Sequence, residues 1–182
     1  MEYNIQKILE RYDAGEELEY VFFLGHQSKD GRIGKSCFSQ WYPCQFEVDG
    51  QIYNCAEQFM MAEKARLFGD EAVLQKILIT DNPKDIKALG REVHNFDSNK
   101  WVAVSKEVVV RGNLHKFAQN ISLFSYLHDT RDKVLVEASP YDTIWGIGMK
   151  ESDSGIMNPH NWKGTNKLGF ALMEVRNLLL EE

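Results

Sequence analysis

Apolar residues along this chain repeat mostly with the spacing of helices and, in a few short segments, with that of strands. Ile5, Ile8, Leu9 and Tyr12 follow the i, i+3, i+4, i+7 spacing of an amphipathic helix. Tyr20–Leu24 is a short continuous apolar run, which is typical of a buried strand. The chain is therefore predicted to begin as a helix, followed by a strand and a polar, glycine-rich loop.

A hairpin and a series of capped helices follow. Phe46–Tyr53 is predicted to be the hairpin, with its turn at Asp49-Gly50. Asn54 is the predicted cap of the next helix, and Gly69 is its natural end. The same reasoning predicts helices after Asp70, after Asn82-Pro83 with an end at Gly90, and from about Lys100 to Gln119 after the cap Asp97.

The last third of the chain alternates short elements with one long loop. Ser122–His128 is predicted to be a short helix and Lys133–Ala138 a strand. A final helix carries Leu168, Leu172 and Val175 on one face. We therefore predict a helix-rich α+β fold with a few short strands. A single domain over residues 1–182 is expected, because no repeat or low-complexity linker divides the chain.

Composition and charge favour a small ligand over a long nucleic-acid surface. The 182 residues carry a formal net charge of -6, and the sequence pI is about 5.4. This charge argues against binding along a nucleic-acid backbone, where many phosphates must be neutralised. A local cationic pocket for one phosphate or one nucleotide is still compatible with it.

Neither a metal nor a cofactor is expected, and the predicted location is cytoplasmic. Cys37, Cys44 and Cys55 form no CxxC motif, and the five histidines show no ligand-pair spacing. The first residues are polar and charged, unlike a signal peptide, and no apolar run approaches the length of a membrane span. A membrane is therefore not an expected partner, and the oligomeric state is not readable from the sequence.

The segment Ser139–Gly169 gives the strongest indication of a ligand site. It combines two tryptophans, a carboxylate, a lysine, an amide and several glycines, a mixture that suits a pocket for a flat ring and a polar sugar or phosphate. Asp142 is either a turn-forming residue or a carboxylate beside the indole of Trp145. Gly146 and Gly164 allow a ligand or another backbone to approach closely. Two further anion contacts are expected near a helix start: Lys163 and Asn166.

Glu57 is the carboxylate that we favour for chemistry, although its position also suits a structural role. It lies three residues after Asn54, where a capping-box acid would stand. Aromatic neighbours favour a site instead, as does Lys64, which lies two turns further along the same helix. The two roles are compatible. Trp101 is expected mainly to begin a buried helix face, with ligand contact as the minority interpretation.

The loop Gly25–Lys35 is a weaker candidate for phosphate binding. It contains His26, Lys29, Arg32 and Lys35 among three glycines. Such a loop can present amides and cations to an anion, but it has no P-loop or Rossmann fingerprint. Most loops of this composition are merely solvated.

Several strings in the chain resemble those of the NADAR/YbiA-like family, over roughly Tyr20 to Leu179. The family's acid falls on Glu57, its D-x-x-W-G motif on Asp142, Trp145 and Gly146, and its G-x-N-x-L-G motif begins at Gly164 and includes Asn166. The strings are A-E-Q-F-M-M-A-E-K-A (Ala56–Ala65), H-K-F (His115–Phe117), L-V-E-A-S-P-Y-D-T-I-W-G-I-G (Leu135–Gly148), W-K-G-T-N-K-L-G (Trp162–Gly169) and L-M-E-V-R (Leu172–Arg176).

The resemblance implies a YbiA-like fold and an N-glycosidase that cleaves a bond between a ribose carbon and a nitrogen. One branch hydrolyses phosphoribosylamino-pyrimidine intermediates of riboflavin synthesis, and another removes ADP-ribose from modified guanine in nucleic acid. Riboflavin-type members carry a short F-S-N-F stretch where this chain has G-K-S-C-F-S-Q-W-Y (Gly34–Tyr42). Lys35 has no counterpart in that branch, and it could bind phosphate or attack the opened sugar as an amine.

We therefore expect ADP-ribosylated guanine, in a nucleotide or in single-stranded nucleic acid, as the substrate. A riboflavin-intermediate hydrolase and a non-catalytic ADP-ribose reader are the alternatives. Glu57 is expected to stabilise the oxocarbenium-like state or to act as base, with Asp142, Trp145 and Lys35 assisting around the same sugar. The expected substrate contacts are His26, Ser39, Lys64, Trp101, Gly146, Lys163, Gly164 and Asn166.

Overall fold

Helices dominate the chain, as the spacing of its apolar residues predicted. The computed structural model describes residues 3–28 and 31–181. In these residues the elements are α1 (Ile5–Asp13), β1 (Tyr20–Phe23), β2 (Phe46–Val48), β3 (Gln51–Tyr53), α2 (Ala56–Leu67), α3 (Glu71–Leu78), α4 (Pro83–Arg91), α5 (Ser98–Ala118), α6 (Ile121–His128), β4 (Val134–Glu137) and α7 (Lys167–Glu181). The helix-rich α+β class is confirmed.

The chain divides into two compact units, and the prediction of a single domain stays a prediction. One unit comprises Met1–Ser39 and Ser122–Glu182, and the other comprises Gln40–Ile121. Within the described part of the chain, no helix has both the length and the apolar character needed to cross a membrane.

The first unit is built on a pair of parallel strands. Tyr20 of β1 lies opposite Val134 of β4, and the register continues to Phe23 opposite Glu137. Most side chains of β4 are buried, and α7 packs against this strand. Burial of these apolar side chains provides the core of the unit. The strand pair therefore fixes the position of the loop that follows β4.

The second unit is centred on α2. This helix packs against α3, α4 and α5, and apolar side chains such as Phe59 and Met61 are buried along it. A Cβ atom at Gly112 of α5 would collide with the ring of Phe59. The adjacent β2–β3 hairpin turns at Asp49 and Gly50, whose φ angles are 51° and 81°. Two successive positive φ angles are those of the predicted tight turn.

Three of the predicted helix caps are confirmed. The side chain of Asp70 accepts a hydrogen bond from the backbone N–H of Val73, and that of Asn82 accepts one from Lys84. Asp97 caps α5 by accepting bonds from two backbone amides of the first turn. Each cap satisfies helix donors that would otherwise have no partner.

Two predictions about helix ends are wrong. The N-cap of α2 is Cys55, which makes no side-chain cap bond, so Asn54 is not the cap and Glu57 is not a capping-box acid. Gly90 does not end α4, which continues to Arg91. A Cβ atom at Gly90 would instead collide with the side chain of Met61. Close helix packing, rather than helix termination, accounts for this glycine.

Candidate active site

Glu57 is a buried carboxyl group in the first turn of α2. Glu57 is only 5% exposed to solvent. Its backbone N–H donates a hydrogen bond to the carbonyl of Gln40 at 2.9 Å. The exposed N–H groups of a helix start carry partial positive charge, which stabilises a negative side chain placed there. Glu57 is thus held firmly in a shielded position without serving as the helix cap.

Other buried polar residues of the same unit were missed by the sequence reasoning. Asn113 of α5 donates to the side-chain oxygen of Gln40 at 2.7 Å, and among the described residues its own amide oxygen is buried with no hydrogen-bond partner. One turn further along α5, Lys116 is 0% exposed, with its ammonium 5.7 Å from the ring centroid of Tyr42. The only indication in the sequence was the string H-K-F, because burial of a lysine depends on the packing around α5.

A groove of about 420 Å³ lies beside the start of α2. Burial raises the pKa of Cys55 to about 11 and also raises the pKa of Cys44. Both thiols are therefore protonated at neutral pH and are weak nucleophiles. The groove is lined by Trp41, Pro43, Cys44, Gln45, Asn54, Cys55, Asp81 and Pro83.

The other predicted contacts in this unit lie in different surroundings. The ammonium of Lys64 donates to the carbonyl of Gly90 at 2.6 Å and lies 4.2 Å from the ring centroid of Phe96. Burial lowers the pKa of this ammonium. Trp101 is half-buried in the first turn of α5. For both residues a contact with substrate stays a prediction.

In the other unit, Asp142 forms the turn that was one of its two predicted roles. Its Oδ1 accepts hydrogen bonds from the backbone N–H of Ile144 at 2.9 Å and of Trp145 at 2.7 Å. Its second carboxylate oxygen accepts no hydrogen bond from the described residues. The turn therefore fixes the carboxylate at the backbone of Trp145, a half-buried residue, and leaves one oxygen available.

Backbone hydrogen bonds join this turn to the segment that precedes α7. The N–H of Lys163 donates to the carbonyl of Ile147 at 2.9 Å, and that of Leu168 donates to Trp145 at 3.0 Å. A Cβ atom at Gly164 would collide with the carbonyl oxygen of Gly146. The two glycines thus admit another backbone, which was one of the two predicted alternatives.

Asn166 holds the same segment against β4. Its residue is fully buried with a φ of 52°. Its side-chain oxygen accepts from the N–H of Glu137 at 3.0 Å, and its side-chain nitrogen donates to the carbonyl of Leu135 at 2.9 Å. These bonds explain an asparagine at this position structurally. The structure thus brings Asp142, Trp145, Gly146, Lys163, Gly164 and Asn166 into one paired set of loops.

The predicted cations of this unit are at its surface. The ammonium of Lys35 lies 2.7 and 2.8 Å from the two carboxylate oxygens of Glu151, and its side chain is 45% exposed. An exposed pair of this kind is weakly held, so an anionic ligand can compete with it. Lys163 is exposed, His26 and Ser39 are half-buried, and Lys29 lies outside the described residues.

No group of three histidine, cysteine, aspartate or glutamate side chains in the described ranges is arranged to hold a metal ion. The arrangement instead offers a buried carboxyl group on a helix in one unit. In the other unit it offers a carboxylate, an indole and a lysine on rigid loops. Carboxylates, flat rings and cations are the groups that bind and cleave glycosidic bonds of nucleotides.

Comparison with known proteins also indicates N-glycosidase chemistry. An N-glycosidase of Acanthamoeba polyphaga mimivirus is 41% identical over 163 residues, which cover 87% of this chain and 95% of the viral protein. A riboflavin biosynthesis protein of Vibrio vulnificus is 31% identical over 79% of this chain and 35% of its own length. The solution structure of YbiA from E. coli matches with a TM-score of 0.72 and 26% identity, over 90% of this chain and 86% of YbiA.

These similarities confirm the YbiA-like fold and an N-glycosyl hydrolase. The NADAR domain model matches residues 22–180, which is nearly the range over which the strings of the sequence resemble that family. Those strings place Glu57 in the first turn of α2 and Asp142 in the turn beside Trp145. The chain therefore belongs to the NADAR domain family.

Proposed function

We propose that this N-glycosidase removes ADP-ribose from ADP-ribosylated guanine, in a nucleotide or in single-stranded nucleic acid. The observation that carries the proposal is Glu57, a buried carboxyl group that α2 does not use as a cap. Burial of a carboxyl group is costly, and the same shielding from water strengthens its electrostatic effect on a substrate placed beside it.

The reaction exchanges a carbon–nitrogen bond for a carbon–oxygen bond. The bond between the ribose anomeric carbon and the base nitrogen breaks, and its electron pair leaves with the nitrogen. Glu57 stabilises the oxocarbenium-like state and removes a proton from the water that attacks the anomeric carbon. The leaving nitrogen takes up a proton, so that overall the water is divided between a hydroxyl group on the sugar and a hydrogen on the base. Positioned proton transfer contributes a factor of about 10²–10⁴ in rate.

Residues of the Asp142 turn and the surface lysine Lys35 are assigned supporting roles. The available oxygen of Asp142 holds ribose hydroxyl groups, and Trp145 stacks on a ring of the substrate. Lys35 exchanges Glu151 for the diphosphate, since their exposed pair is only weakly held. Lys35 is also accessible for attack on an opened ribose as an amine.

The substrate assignment is tested by comparing two substrates. Purified protein is incubated with an oligonucleotide carrying ADP-ribosylated guanine and, separately, with a phosphoribosylamino-pyrimidine, and released ADP-ribose or base is quantified. Faster release from the oligonucleotide supports the proposal. Faster release from the pyrimidine would favour the alternative suggested by the name of the Vibrio protein. Binding of ADP-ribose with no cleavage of either substrate would indicate a reader and overturn the proposal.

A further inference from the structure

The groove beside the start of α2 has the composition of a purine-binding site. It has about 420 Å³ of space and lies wholly within the unit Gln40–Ile121. That size is within the range of small-molecule sites in proteins. We propose that this groove binds the guanine base of the substrate, an inference that rests on the proposed function and adds to it the location of the base.

Three of the residues that line the groove carry flat or ring-shaped apolar surfaces. The indole of Trp41 is half-buried, and the rings of Pro43 and Pro83 also line the groove. Pro83 is fixed at the start of α4, where its N-cap Asn82 accepts a hydrogen bond from Lys84. Aromatic side chains bind nucleobases by stacking, and stacking accepts any base. These residues account for binding of a base but not for the choice of guanine.

A positioned carboxylate supplies that choice. Oδ1 of Asp81 accepts a hydrogen bond from the side-chain nitrogen of Asn54, and Oδ2 accepts none from the described part of the chain. Asn54 is itself fixed, because its carbonyl accepts from Cys44 at 3.0 Å and its N–H donates to Gln58 at 2.7 Å. Asp81 is exposed at the groove, so a ligand can reach it.

Guanine is the nucleobase whose edge matches a carboxylate. Its N1–H and its exocyclic N2–H are adjacent donors, and an ionised carboxylate is an acceptor with two oxygens. Adenine presents an acceptor at N1 and no amino group at C2. Asp81 therefore selects guanine by hydrogen bonding and rejects adenine by placing two acceptors opposite each other.

The groove lies at the start of the helix that carries Glu57. Cys55 lines the groove and stands two residues before Glu57 in the chain. The charge of Glu57 acts on the Cys55 thiol, together with the larger effect of burial, and both raise its pKa. A base bound in the groove would thus have its glycosidic bond near the start of α2.

The test measures binding of guanosine, inosine, xanthosine and adenosine 5′-monophosphates at millimolar concentration, by NMR titration of the wild type and of Asp81→Asn. We expect guanosine monophosphate to bind more tightly than inosine monophosphate, which lacks the N2 amino group. Asp81→Asn should weaken the binding of guanosine monophosphate by about 10- to 100-fold, which is the effect of losing hydrogen bonds to a charged group. The same substitution should increase the affinity for xanthosine monophosphate relative to that for guanosine monophosphate, because the asparagine amide can donate a hydrogen bond to the 2-oxo group.

Two controls separate this result from unfolding and from other sites. Asp85→Asn removes the same charge from α4 outside the groove and should leave guanosine monophosphate binding unchanged. Adenosine monophosphate reports on any site for the adenosine half of ADP-ribose, so Asp81→Asn should not alter its affinity. Undetectable binding of guanosine monophosphate, or equal affinity in the wild type and Asp81→Asn, would overturn the inference. Cleavage of ADP-ribosylated guanine is scored separately, so failure of the proposed function is distinguishable from failure of this subsite.

Discussion

Gln58 accepts a hydrogen bond from the backbone N–H of Asn54 at 2.7 Å, and its side-chain nitrogen donates to the carbonyls of Ile77 and Thr80, each at 3.0 Å. This single side chain ties the residue before the N-cap of α2 to the end of α3 and the turn that follows it. It fulfils the task that the spacing of the sequence had assigned to Glu57. Glu57 is consequently not needed to begin the helix, so loss of a helix cap is not the explanation for an effect of its substitution.

The first prediction concerns Glu57→Gln. We expect turnover of ADP-ribosylated guanine to fall by about 10²–10⁴-fold, because the amide can neither accept a proton from water nor neutralise positive charge. The melting temperature should change little, since the substitution is isosteric and removes no cap. The assay is quantification of released ADP-ribose by chromatography. Glu47→Gln, an exposed carboxylate on β2, is the matched control, and near-normal turnover of Glu57→Gln would remove Glu57 from the mechanism.

A second prediction concerns Gln58→Ala. The substitution leaves the carbonyl of Ile77 without its side-chain donor in a buried setting, and we expect a loss of about 1–3 kcal/mol in the free energy of unfolding. Urea denaturation followed by circular dichroism measures it. Gln75→Ala on α3 is the comparison, because Gln75 is exposed and, among the described residues, its side chain bonds only to Glu71 on the same helix. Equal stability of the two variants would contradict the role assigned to Gln58.

The third prediction is a dependence of stability on pH through Asp70. Backbone hydrogen bonds from His94 and Val73, together with the side chain of His94, lower the pKa of Asp70 to about 2. The ordinary value is about 3.9 in an unfolded chain. A lowered pKa in the folded state means that this contribution is fully present above about pH 4 and is lost as the pH falls towards 2.

Asp70→Asn should therefore be less stable than the wild type at pH 6, and the difference should shrink between about pH 4 and pH 2. The measurement is the urea midpoint of both proteins across that range. His94→Ala retains the backbone N–H that donates to Asp70. It should therefore lose only part of the stability that Asp70→Asn loses. A constant difference between wild type and Asp70→Asn over the whole range would show that the carboxylate charge is not responsible.

The fourth prediction compares two glycines. Gly164→Ala would force a methyl group against the carbonyl of Gly146, whereas a Cβ atom at Gly34 meets nothing within 4 Å. Overpacking of this kind costs about 1–3 kcal/mol, so Gly164→Ala should melt at a clearly lower temperature than Gly34→Ala. Differential scanning calorimetry measures both. Similar melting temperatures would show that the paired loops can separate without loss of stability.

Local relations along the chain were readable from sequence, and distant ones were not. Asp70, Asn82 and Asp97 bond to amides within three residues, so their types and positions were sufficient to predict them. Asn166 was expected to contact a ligand, but its side chain bonds to backbone groups 29 and 31 residues earlier. No local pattern encodes such a pairing, because it exists only once β4 and the loop before α7 have packed.

The groove illustrates the same limit for the candidate site. Trp41, Asn54 and Asp81 are separated in sequence by two loops, the hairpin and two helices, and none was singled out as a ligand contact. Glu57 and Asp142 were found because family motifs mark them. Their surroundings required the structure: the turn at Asp142 resolves into backbone bonds, and the bond back to Asn54 that was predicted for Glu57 is made by Gln58.

The parallel pairing of β1 with β4 also has a consequence for how the chain matures. Tyr20 and its partner Val134 are separated by the whole of Gln40–Ile121. During synthesis, that continuous segment leaves the ribosome before β4 exists, so its helices can assemble while β1 still lacks a neighbour. Strand pairing across so long an interval slows folding. We expect the nascent protein to expose β1, an apolar edge, until β4 has emerged.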